Sequence, residues 1–145
     1  MYASYMKTGL FNPTTHILRL ERGDDIHDVV HDFCLAQGIS NATITGIGSV
    51  ENPQLAHFSI DTKHFTERQF EGIYEITSLL GNVALMGEKP YSHLHITISD
   101  QQMQTFGGHF VKGACSATLE IVLTAYESKL AKVHDVEVGL NVFDL

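Results

Sequence analysis

The fold of this chain is decided by the stretch Ser92-His93-Leu94-His95-Ile96-Thr97-Ile98-Ser99-Asp100. As a β-strand, this short apolar run points successive side chains to opposite faces, so His93 and His95 project the same way, about 6 to 7 Å apart along the backbone. Two imidazoles at that separation can reach one metal ion. The same spacing also fits two polar residues on a half-solvated strand, and spacing alone does not separate these alternatives.

A third histidine follows in Phe106-Gly107-Gly108-His109. A Gly-Gly pair can adopt positive φ and fold the chain back tightly, so we expect His109 to return over the face that carries the first two histidines. Three neutral imidazoles with an open fourth position are typical of a catalytic or ligand-exchanging zinc site, whereas closed structural sites are generally rich in cysteine. Because the chain has only Cys34 and Cys115, a closed cysteine site is excluded.

Composition predicts one compact domain over residues 1–145, with its core at about 12–143. No apolar stretch approaches the length needed to span a membrane, and the N-terminus lacks the organisation of a signal peptide, so we expect a cytoplasmic protein that does not contact membranes. The net charge is −8 and the nine Lys and Arg residues are scattered. Direct DNA binding is therefore disfavoured, because such binding depends on clustered basic groups that neutralise phosphates.

A single amphipathic helix is predicted over about 25–37. Its apolar face is marked by Ile26, Val29, Val30, Phe33 and Cys34, acidic residues occupy the N-terminal end, and Gly38 provides the stop. Within it, His27 and His31 are spaced as in a zinc-protease helix, with Asp28 where glutamate is usual. The pattern also fits a solvated helix face, which is the interpretation we favour.

Short segments with high β-strand propensity, separated by turn residues, make up most of the remaining chain. They cover residues 16–20, 41–50, 55–60, 65–70, 72–86 as one strand or two, 114–126 and 136–143, with a polar connection over 101–108. The predicted fold class is α+β, mainly antiparallel sheet with one well-defined helix and room for a second short one. Glu120 lies inside an apolar segment. Either its carboxylate is buried, where it would hydrogen-bond to a metal-binding residue or act as a fourth metal ligand, or it is an ordinary outward-facing residue.

With these elements laid out, the sequence resembles the plant and prokaryote conserved domain, the PPC domain. The matching residues are Gly46-Ile47-Gly48-Ser49-Val50 with Leu55, the segment from Gly72 to Gly81, His93-Leu94-His95 with Ser99-Asp100, and Gly107-Gly108-His109 with Gly113 and Glu120. The resemblance implies an antiparallel α+β domain assembled as a homotrimer, with zinc or another divalent transition metal at His93, His95 and His109. The family is often labelled DNA-binding through AT-hook segments, and this sequence contains no such Arg-Gly-Arg tract.

Three functions compete at this level. The first is a trimeric metal-binding module with an interaction or regulatory role. The second is a zinc-dependent lyase or hydrolase acting on a small carbonyl or carboxylate substrate at the exchangeable metal position, with Glu120 moving a proton. It is suggested by the similarity of the fold to acetolactate decarboxylase, which uses three histidines on zinc. The third is a DNA-associated regulator, which we expect to reach DNA through a partner rather than by direct contact.

Overall fold

The computed structural model describes residues 6–145 and forms an antiparallel sheet with one helix. The elements in chain order are β1 (Lys7–Asn12), β2 (Thr15–Glu21), α1 (Ile26–Gln37), β3 (Asn41–Ser59), β4 (His64–Gln69), β5 (Ile73–Met86), β6 (Lys89–Ser99), β7 (Thr105–Tyr126), β8 (Lys132–Asp135) and β9 (Leu140–Phe143). The predicted class, mainly antiparallel sheet with one helix, is confirmed. The second short helix is absent from residues 6–145, and α1, with 12 residues, is too short to cross a membrane.

The helix forms where its local sequence signals place it. The Asp25 carboxylate accepts the backbone N–H of Asp28 at 3.0 Å, which caps the N-terminus, and Gly38 ends the helix in the left-handed conformation at φ 67°. The five apolar residues of the predicted stripe are the five buried residues of α1. This face packs on the sheet against β6 and β7.

The sheet has seven strands in the order β1-β2-β7-β6-β5-β3-β4, and β3 also pairs with β7. Strands β3, β5, β6 and β7 therefore pair in a closed ring. This closure is possible because β3 and β7 are long, with 19 and 22 residues, and each meets different neighbours along its length. Strands β8 and β9 form a separate hairpin.

The two faces of β6 differ in character. Leu94, Ile96 and Ile98 are buried in the core, while His93 and His95 alternate with them on the opposite face. The alternation with a period of two that the sequence predicts is therefore observed in β6, with the apolar side chains turned toward the interior.

The chain reversal before His109 differs from the prediction. Gly107 and Gly108 lie inside β7 without positive φ, and the chain turns earlier, where Asp100 Oδ1 accepts the backbone N–H groups of Gln102 and Gln104 and Met103 has φ 62°. Gly108 is needed for a different reason. A Cβ at that position would lie 2.8 Å from the carbonyl oxygen of Ala56, so glycine allows β7 to approach β3.

Other strand boundaries also differ from the sequence prediction. The segments 41–50 and 55–60 join into one strand, because a register shift absorbs Asn52 at φ 48° and the following proline. Residues 136–139 form a turn, so that only Leu140–Phe143 of the predicted C-terminal strand is extended. Strand β1 was not predicted.

Candidate metal centre

Three histidines come together on the face of the sheet opposite the helix. One ring nitrogen from each of His93, His95 and His109 lies within 4.8 Å of the others. The ring centroids are 5.2 Å apart for His93 and His95, 5.2 Å for His93 and His109, and 5.6 Å for His95 and His109. The prediction that His109 lies on the same face as His93 and His95 is therefore correct, although the chain reverses at a different place from the one expected.

Strand register explains this arrangement. His93 and His95 share a face because they are two residues apart in β6, and His109 on β7 is the direct cross-strand partner of His95. His109 also pairs with Ala56 on the other side, so β7 is held between β6 and β3 at this point. The triad thus rests on backbone pairing on both sides rather than on a loop.

The electrostatic environment keeps the imidazoles of His93 and His109 neutral. Burial, followed by the positive charge of Lys132 and the neighbouring histidines, lowers the pKa of His93 to about 4. Burial and the charge of His95 also lower the pKa of His109. A metal binds the neutral imidazole, so at neutral pH these rings are in the form that a ligand requires.

The donor set fits a transition metal. A tetrahedral zinc ion with bonds of 2.0 to 2.1 Å places its ligands about 3.4 Å apart, which small side-chain rotations would achieve from the present spacing. Three imidazoles without a carboxylate suit zinc, copper, iron or nickel rather than magnesium or calcium. Asn82 lies across from His93 on β5. Its buried side-chain oxygen has no hydrogen-bond partner within residues 6–145, so it is an acceptor that can orient a ligand ring.

A cavity of about 620 Å³ opens beside the triad. One part of its wall is apolar and includes Phe58 and Phe65, whose rings lie 5.0 Å apart, with Phe65 also 5.4 Å from the ring of His109. Another part is formed by Lys132, which is only 9% exposed and whose Nζ lies 3.2 Å from His93 Nδ1. Burial lowers the pKa of Lys132.

Glu120 does not belong to this site. It is exposed on β7, eleven residues beyond His109, and lines a different groove formed by β3, β5 and β7. Of the two alternatives left open for Glu120, a buried partner of the metal site or an outward-facing residue, the structure supports the second. The alternation of β7 turns Leu119 and Ile121 inward and Glu120 outward.

The helix histidines are engaged elsewhere. His27 Nδ1 lies 2.7 Å from Ser92 Oγ, and its Nε2 lies 3.1 Å from the carbonyl oxygen of Phe110. His31 lies beside Asp32 at 3.7 Å. Within residues 6–145, the triad of His93, His95 and His109 is the one cluster whose ligand atoms could hold a metal, so the zinc-protease interpretation of the helix is wrong.

Sequence reasoning missed Lys132 and the aromatic wall. Lys112, the lysine nearest to His109 in the sequence, is exposed and pairs with Gln54 on β3. Lys132 reaches the site from 39 residues beyond His93 through the C-terminal hairpin. Nothing in the local sequence around Lys132 signals this, since the approach depends on how the hairpin docks.

A sheet of this topology with an imidazole triad defines an α+β protein with a candidate transition-metal centre. Residues 10–127 match the Plants and Prokaryotes Conserved (PCC) domain, also called PPC, and the chain belongs to this family. No curated protein matches the chain in sequence.

Solved structures agree with this assignment. A proposed DNA-binding protein from Bacteroides thetaiotaomicron is similar, with 27% identity, 96% of each chain covered and a TM-score of 0.91. A PPC protein from Pyrococcus horikoshii has 27% identity, covers 100% of this chain and 98% of its own, and has a TM-score of 0.84. A metal-containing protein from Archaeoglobus fulgidus has 25% identity, 99% coverage of both chains and a TM-score of 0.83.

Proposed function

We propose that this chain is a homotrimeric metal-binding module with an interaction or regulatory role, and that His93, His95 and His109 hold one zinc ion per chain. The observation that carries the proposal is the meeting of three imidazole nitrogens within 4.8 Å on paired strands. The lowered pKa values of His93 and His109 support it, because both rings are ready to bind without losing a proton. The name of the Archaeoglobus fulgidus relative, a metal-containing protein, is consistent with it.

Metal content tests this proposal directly. After purification in the presence of excess zinc and removal of unbound ions, elemental analysis should give one zinc per chain for the wild-type protein and for His31→Ala. It should give almost none for His93→Ala. His31 is a matched control because it is also a histidine, but it lies beside Asp32 and outside the triad. A wild-type protein without metal would overturn the proposal.

Trimer assembly is supported by an apolar patch on the same face as the triad. Ile47, Leu80 and Val122 are 61%, 54% and 39% exposed and line one groove. Leu80 lies directly across from His95 in the β5–β6 pairing, so assembly through this patch would place each metal site near a subunit boundary.

The oligomeric state tests the assembly. Three chains of 16.1 kDa make a particle of about 48 kDa, which native mass spectrometry resolves from a monomer. Leu80→Glu should yield monomers. Leu35→Glu, at an exposed leucine on α1, should leave the trimer intact. A monomeric wild-type protein would contradict the assembly without affecting the metal proposal.

The cavity beside the triad favours a second candidate, a zinc-dependent lyase or hydrolase acting on a small carbonyl or carboxylate substrate. Bound zinc would supply Lewis acidity at its exchangeable position. The chain's own contributions are an apolar wall that excludes water and the Lys132 ammonium for a substrate anion. Turnover of a panel of small 2-oxo acids by zinc-loaded protein, absent in His93→Ala, would favour this candidate over the module.

DNA binding is the role named for the Bacteroides thetaiotaomicron relative. For this chain we propose association with DNA only through a DNA-bound partner. The net charge of −8 opposes direct contact with phosphates. Fluorescence anisotropy with labelled duplex DNA should show no binding at low salt, whereas a complex that weakens steeply as salt rises would establish direct contact.

A further inference from the structure

We infer that the cavity beside the triad binds a small monocarboxylate with an apolar body, its carboxylate shared between the metal and the Lys132 ammonium. The inference rests on the proposed metal site and names the class of ligand that the site takes. It draws on three features of the cavity, which are the pairing of Lys132, the hydrogen-bonding capacity of His93 and the chemistry of the walls.

Lys132 is a buried cation without an acidic partner. It is 9% exposed, and within residues 6–145 no carboxylate oxygen lies within 4.0 Å of its Nζ. Its contacts are His93 Nδ1 at 3.2 Å and the ring of Phe143 at 4.9 Å. A buried charge is costly unless it is paired, so this ammonium is suited to a bound anion.

Metal binding would leave Lys132 in greater need of an anionic partner. An ammonium can only donate, so in the present arrangement His93 Nδ1 must accept the hydrogen bond from Lys132. If His93 binds a metal through Nδ1, the lone pair is used. If it binds through Nε2, its proton moves to Nδ1, which then donates. In both cases Lys132 loses this acceptor and requires another one next to the metal.

A carboxylate meets this requirement better than a phosphate. Its two oxygens allow one to bind the metal while the other accepts from Lys132, and both groups lie beside His93. Phosphate sites usually present several N–H donors or a helix N-terminus. Here the cavity offers one ammonium, and its other walls combine apolar and aromatic side chains with only two polar ones outside the triad, His57 and Asn141.

The apolar wall and the volume define the rest of the ligand. The cavity of about 620 Å³ is within the usual range for small-molecule sites, and its aromatic side chains suit a ring or a branched hydrocarbon. Benzoate combines these features and is a suitable probe, and benzamide has nearly the same shape without the charge.

The experiment uses full-length protein loaded with cobalt(II), whose visible absorption reports on its ligands. Cobalt is titrated first, then benzoate, benzamide and inorganic phosphate. Benzoate should change the cobalt spectrum and bind more tightly than the other two. In Lys132→Met, cobalt uptake should persist while benzoate binding weakens about ten- to hundred-fold, as expected for the loss of a hydrogen bond between charged groups.

Lys129→Met is the matched control, because Lys129 is exposed and lines a different groove. It should bind cobalt and benzoate as the wild type does. Equal benzoate affinity in wild type and Lys132→Met, or tighter binding of phosphate or benzamide, would overturn the inference while leaving the metal proposal in place. Failure of the wild-type protein to take up cobalt would overturn both. If Lys132→Met loses cobalt or its fold, Lys132→Gln, which retains a donor but no charge, makes the same comparison, and unchanged benzoate affinity there would overturn the inference.

Discussion

Two regions of the molecule each carry a pair of histidines at a spacing suited to a metal, but the two pairs have different surroundings in the folded chain. His27 and His31 are one turn apart on α1, and His93 and His95 are two residues apart on β6. Only the β6 pair gains a third imidazole, because β7 places His109 across from His95. Local spacing puts two ligands on one face, and strand pairing decides whether a third arrives.

The largest expected effect concerns stabilisation by zinc. A ligand that binds only the folded protein adds about 4 kcal/mol to the free energy of unfolding at a thousand times its dissociation constant. Urea unfolding with and without zinc should show this increment in the wild type and in His27→Ala, each compared with its own metal-free form. In His109→Ala the increment should vanish. An increment retained in His109→Ala would place the metal elsewhere.

The next effect is the pH dependence of the metal-free protein. His93 has a folded pKa of about 4, below the value of about 6.5 expected in the unfolded chain, so the unfolded state binds more protons between these pH values. The free energy of unfolding should therefore fall by about 2 to 3 kcal/mol as the pH decreases from 6.5 to 4.

Chemical denaturation at several pH values, compared between the wild type and His93→Gln, isolates this contribution. The variant should lose most of this fall in the free energy of unfolding between pH 6.5 and 4, because glutamine does not titrate. Identical pH profiles for the two proteins would show that His93 is not held neutral by its surroundings.

The helix pair should differ from the triad in its effect on stability. His27→Ala removes the hydrogen bonds to Ser92 and Phe110 and the stacking of its ring on Phe110 at 5.1 Å, so the free energy of unfolding should fall by about 2 kcal/mol. His31→Ala should change it by less than about 0.5 kcal/mol. Urea unfolding measures both, and equal effects would mean that His27 has no structural role.

The smallest effect is expected at Glu120. Because this residue is exposed and remote from the triad along β7, Glu120→Gln should change zinc affinity less than about two-fold, within the range of surface substitutions. Competition with a chromophoric chelator measures the affinity. A large loss would restore Glu120 to the site and contradict the strand alternation that turns it outward.

Elements governed by local signals could be predicted from the sequence, and those governed by long-range pairing could not. The helix was predicted closely because Asp25, Gly38 and the apolar stripe act within a few residues of one another. The reversal before His109 was assigned to Gly107 and Gly108, although both lie inside β7, where Gly108 allows the close approach of β3, a contact that a single sequence does not reveal. The orientation of Glu120 stayed open between the core and the solvent, because an isolated apolar segment does not show which face is buried.

The sequence by itself determined that His93 and His95 share a face, because a strand alternates with a period of two, and that one capped helix covers the core. The tertiary structure decided that His109 completes the triad and that Lys132 and the aromatic wall surround it. These groups lie far apart in the chain, and their meeting depends on the closed pairing of β3, β5, β6 and β7 and on the docking of the C-terminal hairpin. Such contacts result from the packing of the whole chain, which local sequence does not encode.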